Sequence, residues 1–202
     1  MHDKTRLLRV AIALSIALTP GVPAFAQATA ETFAATSAAA SVRIDNFGRI
    51  NEHYYRGAQP RDGDYADLAA LGVRTIIDLQ EAGGDPGEAS AVKAAGMSYY
   101  RIPMNTRRAP TSDQLALFLT LVNDPAAQPV YVHCQGGRHR TGVMTAAYRM
   151  SVDGWKPAAA FAEMKRFDFG PDFLHPEFKK YVLAYDPQTV ANATVVATTQ
   201  QQ

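Results

Sequence analysis

Over residues 42–186, short runs of β-branched and aromatic residues alternate with stretches whose apolar positions recur every three or four residues. Residues 74–79, 98–102 and 130–133 predict strands, with 54–56 a shorter fourth. Residues 64–71, 88–95 and 112–123 predict helices, the last with Leu115, Phe118, Leu119 and Val122 on one face. After His133 the pattern is helical only. Val143, Ala146, Ala147 and Met150 share a face, Pro157 suits the first turn of a second helix, and Phe178, Tyr181, Val182 and Tyr185 line a third. Such alternation implies right-handed crossovers and a single α/β domain, its central, mostly parallel sheet flanked by helices on both faces. Ligands of these sheets bind outside the carboxyl ends of the strands, so the loop over 133–141 is where a site is expected.

The ends of the chain follow another pattern. Lys4, Arg6 and Arg9 precede an apolar run over 10–18, a Pro20-Gly21 break and Ala24-Phe25-Ala26, the order of a secretory signal peptide cleaved after Ala26. That run is shorter than the about 20 residues that span a bilayer, so residues 1–26 are expected to be removed rather than to anchor the chain. Residues 27–41 read as a flexible leader and 187–202 as a disordered tail, both rich in small and polar residues. The expected location is periplasmic or secreted, with no stable membrane insertion after cleavage. Twenty Lys and Arg against 19 Asp and Glu give a net charge of +1, which offers no bulk attraction to nucleic acid. Affinity for phosphate must come from local placement of charge.

The sequence holds one cysteine, Cys134, so no internal disulfide is available, and a lone buried cysteine is ordinarily a packing residue. Its setting changes that reading. The loop runs His133-Cys134-Gln135-Gly136-Gly137-Arg138-His139-Arg140-Thr141-Gly142, between a predicted strand and a predicted helix. Backbone N–H groups of a tight loop opening a helix form an anion cradle, reinforced by the helix dipole. Gly136 and Gly137 let the backbone curl closely around a phosphate, with Gln135, Arg138 and His139 completing the loop. Arg140 can grip two phosphate oxygens through its planar fork. The same positive field lowers the Cys134 thiol pKa, Thr141 is placed to donate its hydroxyl to the thiolate, and the sulfur can attack phosphorus in line. The equatorial oxygens then gather charge where the amides and Arg140 already point. No metal or cofactor is required.

The segment 133–142 resembles the His-Cys-x5-Arg-Thr-Gly signature of the protein tyrosine phosphatase superfamily. Its Gly-Arg-His-Arg-Thr-Gly stretch is similar to atypical dual-specificity phosphatases of the plant and fungal type and their small bacterial relatives. Tyr55-Arg56-Gly57-Ala58-Gln59-Pro60 and Leu71-Gly72-Val73-Arg74-Thr75-Ile76-Ile77-Asp78-Leu79 resemble the opening of those bacterial members. The resemblance implies the cysteine-phosphatase fold over about residues 44–182. It also implies hydrolysis through a phosphocysteine, dual-specificity-like substrates and a His133 that supports the loop rather than reacting. His139 is left open between substrate mouth and solvent. His53 and His175 read as surface or packing residues.

Family members carry a general-acid Asp on a loop roughly thirty residues before the cysteine. Here Asn105 or Thr106 occupies that place, and neither delivers a proton as a carboxylic acid would. Asp113 is the one carboxylate on the stretch, though it also suits the first turn of a helix; Asp78, Asp85 and Asp168 are weaker candidates. The missing acid opens an alternative, a phosphate-binding pseudophosphatase with little turnover, against which Cys134, Arg140 and Thr141 stand intact. A sulfurtransferase would not need the Arg-Thr-Gly ending, and a low-molecular-weight phosphatase would carry its signature near the mature N-terminus. The expected substrate is a phosphorylated protein or an inositol polyphosphate, and Arg107, Arg108 and Arg138, adding cations around the loop, point to a ligand with more than one phosphate or acidic group, such as an inositol polyphosphate, rather than an isolated phosphotyrosine.

Overall fold

The computed structural model describes residues 42–81 and 84–188. The signal peptide, the leader and all but the first two residues of the tail lie outside them. Five strands form one sheet: β1 (Gly48–Arg49), β2 (Tyr54–Gly57), β3 (Thr75–Gln80), β4 (Ser98–Met104) and β5 (Val130–His133). Their order is β1-β2-β5-β3-β4, parallel except for β1, which pairs antiparallel with β2. Six helices accompany them: α1 (Asp64–Ala70), α2 (Glu88–Ala94), α3 (Ser112–Asn123), α4 (Arg140–Ser151), α5 (Pro157–Arg166) and α6 (Pro176–Leu183). The expected α/β architecture is thus the observed one, and only the two-residue β1 was absent from the sequence pattern. A strand that short carries too little alternation to register.

Strands β2, β3 and β5 are buried at every residue, as a sheet covered on both faces requires, and successive side chains enter opposite cores. Tyr54, Ile77, Leu79, Val130 and Val132 join one core with Phe118, Val143, Met164 and Phe178, from α3 to α6. Tyr55, Ile76 and Tyr131 join a second with Tyr65, Leu68 and Val92, from α1 and α2. On α3 the buried residues are Leu115, Phe118, Leu121 and Val122. Leu119, expected on that face, is only partly buried. The start of α3 is fixed by Thr111, whose hydroxyl accepts from the Gln114 N–H while Gln114 accepts from the Thr111 N–H.

The central strand β5 runs straight into the candidate loop and then α4, which is buried along almost its whole length. Small residues make this possible: Gly142, Ala146 and Ala147 leave room for neighbouring helices, and Met164 of α5 packs directly on Gly142. Arg149 ties α4 to α5 through a two-pronged contact with the buried Glu163, at 2.9 and 3.1 Å. The loop therefore springs from the most constrained part of the molecule.

Candidate active site

Cys134 directly follows β5 at the floor of the loop and is 4% exposed. Burial alone pushes its thiol pKa up. The Thr141 hydroxyl and backbone N–H, the Arg140 charge and the Gly137 N–H outweigh that, and the thiol lies below its ordinary value. The Thr141 hydroxyl is buried with no fully formed hydrogen bond to an oxygen or nitrogen among the described residues. Sulfur is a larger and softer acceptor, and the hydroxyl's effect is exerted there. Arg140, at the first turn of α4, makes only long contacts, at 3.5 Å to the Leu79 carbonyl and 3.4 Å to that of Met104. Contacts this long are weak, which leaves the guanidinium free to exchange them for phosphate oxygens.

The loop's shape is imposed from β2. Gly137 has φ +64°, and a Cβ there would stand 2.4 Å from the Gly57 carbonyl carbon and 2.6 Å from the Ala58 nitrogen. Only glycine fits. Gly136 is different: the nearest atoms to a Cβ built there are Arg138 side-chain atoms at 3.7 and 3.8 Å, so the surrounding protein itself leaves room for a side chain. Asn46, itself at φ 57°, donates to the Gly137 carbonyl at 3.0 Å and to that of Phe167 at 2.9 Å. Arg56 also donates to the Gly137 carbonyl. With its carbonyl drawn outward, Gly137 turns its N–H toward the sulfur.

Arg56 is an unusual support. It is fully buried, its guanidinium lies 4.1 Å from the centroid of the Phe167 ring, and no carboxylate pairs with it among the described residues. Desolvation lowers its pKa, partly offset by Tyr54 and Cys134. A positive charge held under the loop favours the thiolate. Gln59 adds a further tie, its N–H donating to the Gln135 carbonyl at 3.2 Å. The segment Tyr55 to Pro60 thus acts as a scaffold for the phosphate loop, a role that could not be read from its letters.

His133 turns away from the cradle as expected. It is buried with Nε2 2.9 Å from Glu88 Oε1, and Tyr65 donates to the same oxygen at 3.2 Å. Asp78, Glu88 and His133 bring ligand-type atoms within 4.8 Å of one another, the one such group among the described residues. Both oxygens of Asp78 are already engaged, by the Gln80 N–H at 2.8 Å and by Tyr99 and Arg101 at 2.9 and 3.0 Å. The cluster reads as an internal network that braces the ends of β3 and β5.

The remaining candidates disperse. Asp113 is exposed in the first turn of α3, with no hydrogen bond or ion pair to the loop among the described residues. Asp85 caps the Gly87 N–H at 2.7 Å. Asp168 pairs with Arg138 at 2.8 Å, so Arg138 is not the free cation the sequence suggested. Arg107 and Arg108 are exposed, without ion-pair partners among the described residues. His139, left open by the sequence, and His175, read there as a surface or packing residue, lie against one another with ring centroids 3.6 Å apart and the rings tilted by 34°. His139 contacts the Phe169 carbonyl at 3.0 Å and His175 that of Thr106 at 3.2 Å. Burial, then His175, lowers the His139 pKa. The pair joins the phosphate loop to the segment after β4, and the 30 to 69 residues separating these contacts along the chain hide it from sequence reasoning.

A family model described as "DSP-PTPase phosphatase fused to NAD+ Kinase" matches residues 27–174. The dual specificity protein phosphatase TpbA of Pseudomonas aeruginosa is 30% identical over 160 residues, covering 78% of this chain and 72% of that protein. The inositol diphosphatase SIW14 of Saccharomyces cerevisiae is 28% identical over 130 residues, covering 62% of this chain and 46% of that protein. Among solved structures, a P. aeruginosa TpbA variant in complex with pTyr superposes with a TM-score of 0.64 at 26% identity, covering 74% of this chain and 90% of that one.

Proposed function

This chain belongs to the dual-specificity phosphatase family and is a cysteine-dependent phosphatase, and we propose that it hydrolyses phosphate monoesters by way of a phosphocysteine at Cys134. The observation that carries the proposal is a buried thiol whose pKa is nonetheless lowered, at the floor of a loop that opens α4 beside Arg140. The thiolate attacks phosphorus, the S–P bond forms and the bond to the leaving oxygen breaks. Arg140 and the loop amides take up the charge on the equatorial oxygens. Water then attacks the phosphocysteine, releasing phosphate and restoring the thiolate. Thr141 stabilises the sulfur as it departs. A site that only bound phosphate would have no need for a depressed thiol.

For substrate we propose two classes. TpbA has been solved with pTyr and SIW14 is named an inositol diphosphatase. The unpaired Arg107 and Arg108 on the segment facing the loop favour a ligand with more than one phosphate. We also retain the reading of residues 1–26 as an export signal, which would place the mature phosphatase in the periplasm or outside the cell.

The test is phosphate release from phosphotyrosine peptides, phosphoserine peptides, inositol polyphosphates and an aryl phosphate, with and without chelator. Cys134→Ser is expected to lose turnover on every substrate while still binding vanadate, and chelator is expected to change nothing. Full activity in Cys134→Ser would overturn the mechanism. Arg107→Ala with Arg108→Ala should weaken polyphosphates more than the aryl phosphate; an equal loss on both would remove the polyanion reading.

A further inference from the structure

Protonation of the leaving group has no owner in the account above. One carboxylate not yet considered, Glu81, directly follows β3 rather than lying on the segment after β4. In the sheet β3 lies between β5 and β4, so the residues that follow it emerge between the phosphate loop and the segment where family members carry their acid. Arg140 marks the spot: its Nη1 reaches both the Leu79 and the Met104 carbonyls. Two residues beyond Leu79 is Glu81, and one beyond Met104 is Asn105. These two side chains meet, Asn105 Nδ2 donating to Glu81 Oε2 at 3.0 Å. Asn105 is itself fixed, its Oδ1 accepting from the Arg107 N–H at 2.9 Å. The other oxygen of Glu81 has no partner among the described residues, and the residue is exposed.

We propose that Glu81 is the general acid of this phosphatase, aimed by Asn105, which occupies the position where an aspartate would otherwise stand. The inference rests on the phosphocysteine reading. As the Cys134 sulfur bonds to phosphorus and the bond to the leaving oxygen breaks, the Glu81 carboxyl gives its proton to that oxygen and becomes a carboxylate. In the second half the carboxylate takes a proton from the attacking water as the new P–O bond forms and the S–P bond breaks. Every proton is returned. The residues weighed from sequence do not compete: Asp113 has no tie to the loop among the described residues, Asp78 is enclosed, and Asp168 is paired with Arg138. Asn105 is a positioning residue.

The experiment compares kcat/KM of the wild type, Glu81→Gln, Asp113→Asn, Asp168→Asn and Asn105→Ala on p-nitrophenyl phosphate and on a phosphotyrosine peptide. The first has a leaving group that departs without help and the second does not. Glu81→Gln is expected to lose roughly 100-fold or more on phosphotyrosine, to change little on p-nitrophenyl phosphate, and to lose the alkaline limb of the phosphotyrosine pH profile. Asn105→Ala should shift that limb and fall in the same substrate-dependent way by a smaller factor. Equal effects of Glu81→Gln on both substrates, or a substrate-dependent loss in Asp113→Asn or Asp168→Asn instead, would overturn the assignment. Because kcat/KM on p-nitrophenyl phosphate reports only the steps up to phosphocysteine formation, it requires Cys134 but little help from Glu81, and the two proposals fail separately. Glu81 is exposed, and matched unfolding midpoints would verify that the fold is intact.

Discussion

Replacing Gly137 by alanine tests how the loop is built. The residue sits at φ +64°, where an L side chain costs about 1–2 kcal/mol. The added Cβ would lie 2.4 and 2.5 Å from the carbonyl carbon and oxygen of Gly57 and 2.6 Å from the Ala58 nitrogen. These are backbone atoms at the end of β2 and cannot rotate aside, so overpacking adds about 1–3 kcal/mol. The expected destabilisation is therefore about 2–5 kcal/mol, a large share of the roughly 5–15 kcal/mol that holds a domain together. Relief by shifting the loop would pull the Gly137 N–H from the sulfur and disturb the carbonyl held by Asn46 and Arg56. Loss of such a donor costs about 100-fold in turnover even in molecules that stay folded. Urea unfolding followed by circular dichroism measures the first effect and aryl phosphate kinetics the second. Gly136→Ala is the control, since its methyl would meet only Arg138 side-chain atoms from 3.7 Å outward, and its unfolding midpoint should move by less than about 0.5 kcal/mol equivalent. A Gly137→Ala variant as stable and as active as the wild type would refute the argument that β2 dictates the loop.

Two further outcomes follow from the thiol and from the N-terminus. A depressed Cys134 pKa keeps the thiolate present below the ordinary thiol value of about 8.5, so iodoacetamide alkylation should stay fast toward neutral pH and slow as pH falls through the depressed value; Thr141→Val should move that fall to higher pH, and an unmoved profile would deny the hydroxyl its role. Soluble protein purified from its native host should begin at or near Gln27, and an intact Met1 would end the export reading.

Much of this was legible in the chain because the signals were local. The β-branched and aromatic runs at 74–79 and 130–133 and the 3.6-residue face of 112–123 depend on neighbouring residues, and each became an element of the predicted kind, the first shifted by one residue to 75–80. The phosphate loop was legible for the same reason, since an anion cradle is built from consecutive amides between one strand and one helix. Where function depends on residues far apart in sequence, the pattern was silent. Arg56 lies 81 residues from the Gly137 carbonyl it holds, and Asn46 lies 91 away. His139 and His175, separated by 36 positions, face one another only once α6 packs beside the loop. The meeting of Glu81 with Asn105 has no signature in chain distance from Cys134, because the sheet order β5-β3-β4 sets the end of β3 between the strands that lead into the phosphate loop and the segment after β4. Sequence determined the nucleophile and the strand and helix that present it, because those follow from local backbone chemistry. Tertiary structure alone decided what braces the loop and which side chains meet beyond β3 and β4, because strand order, not chain order, sets distance at the carboxyl edge of a parallel sheet.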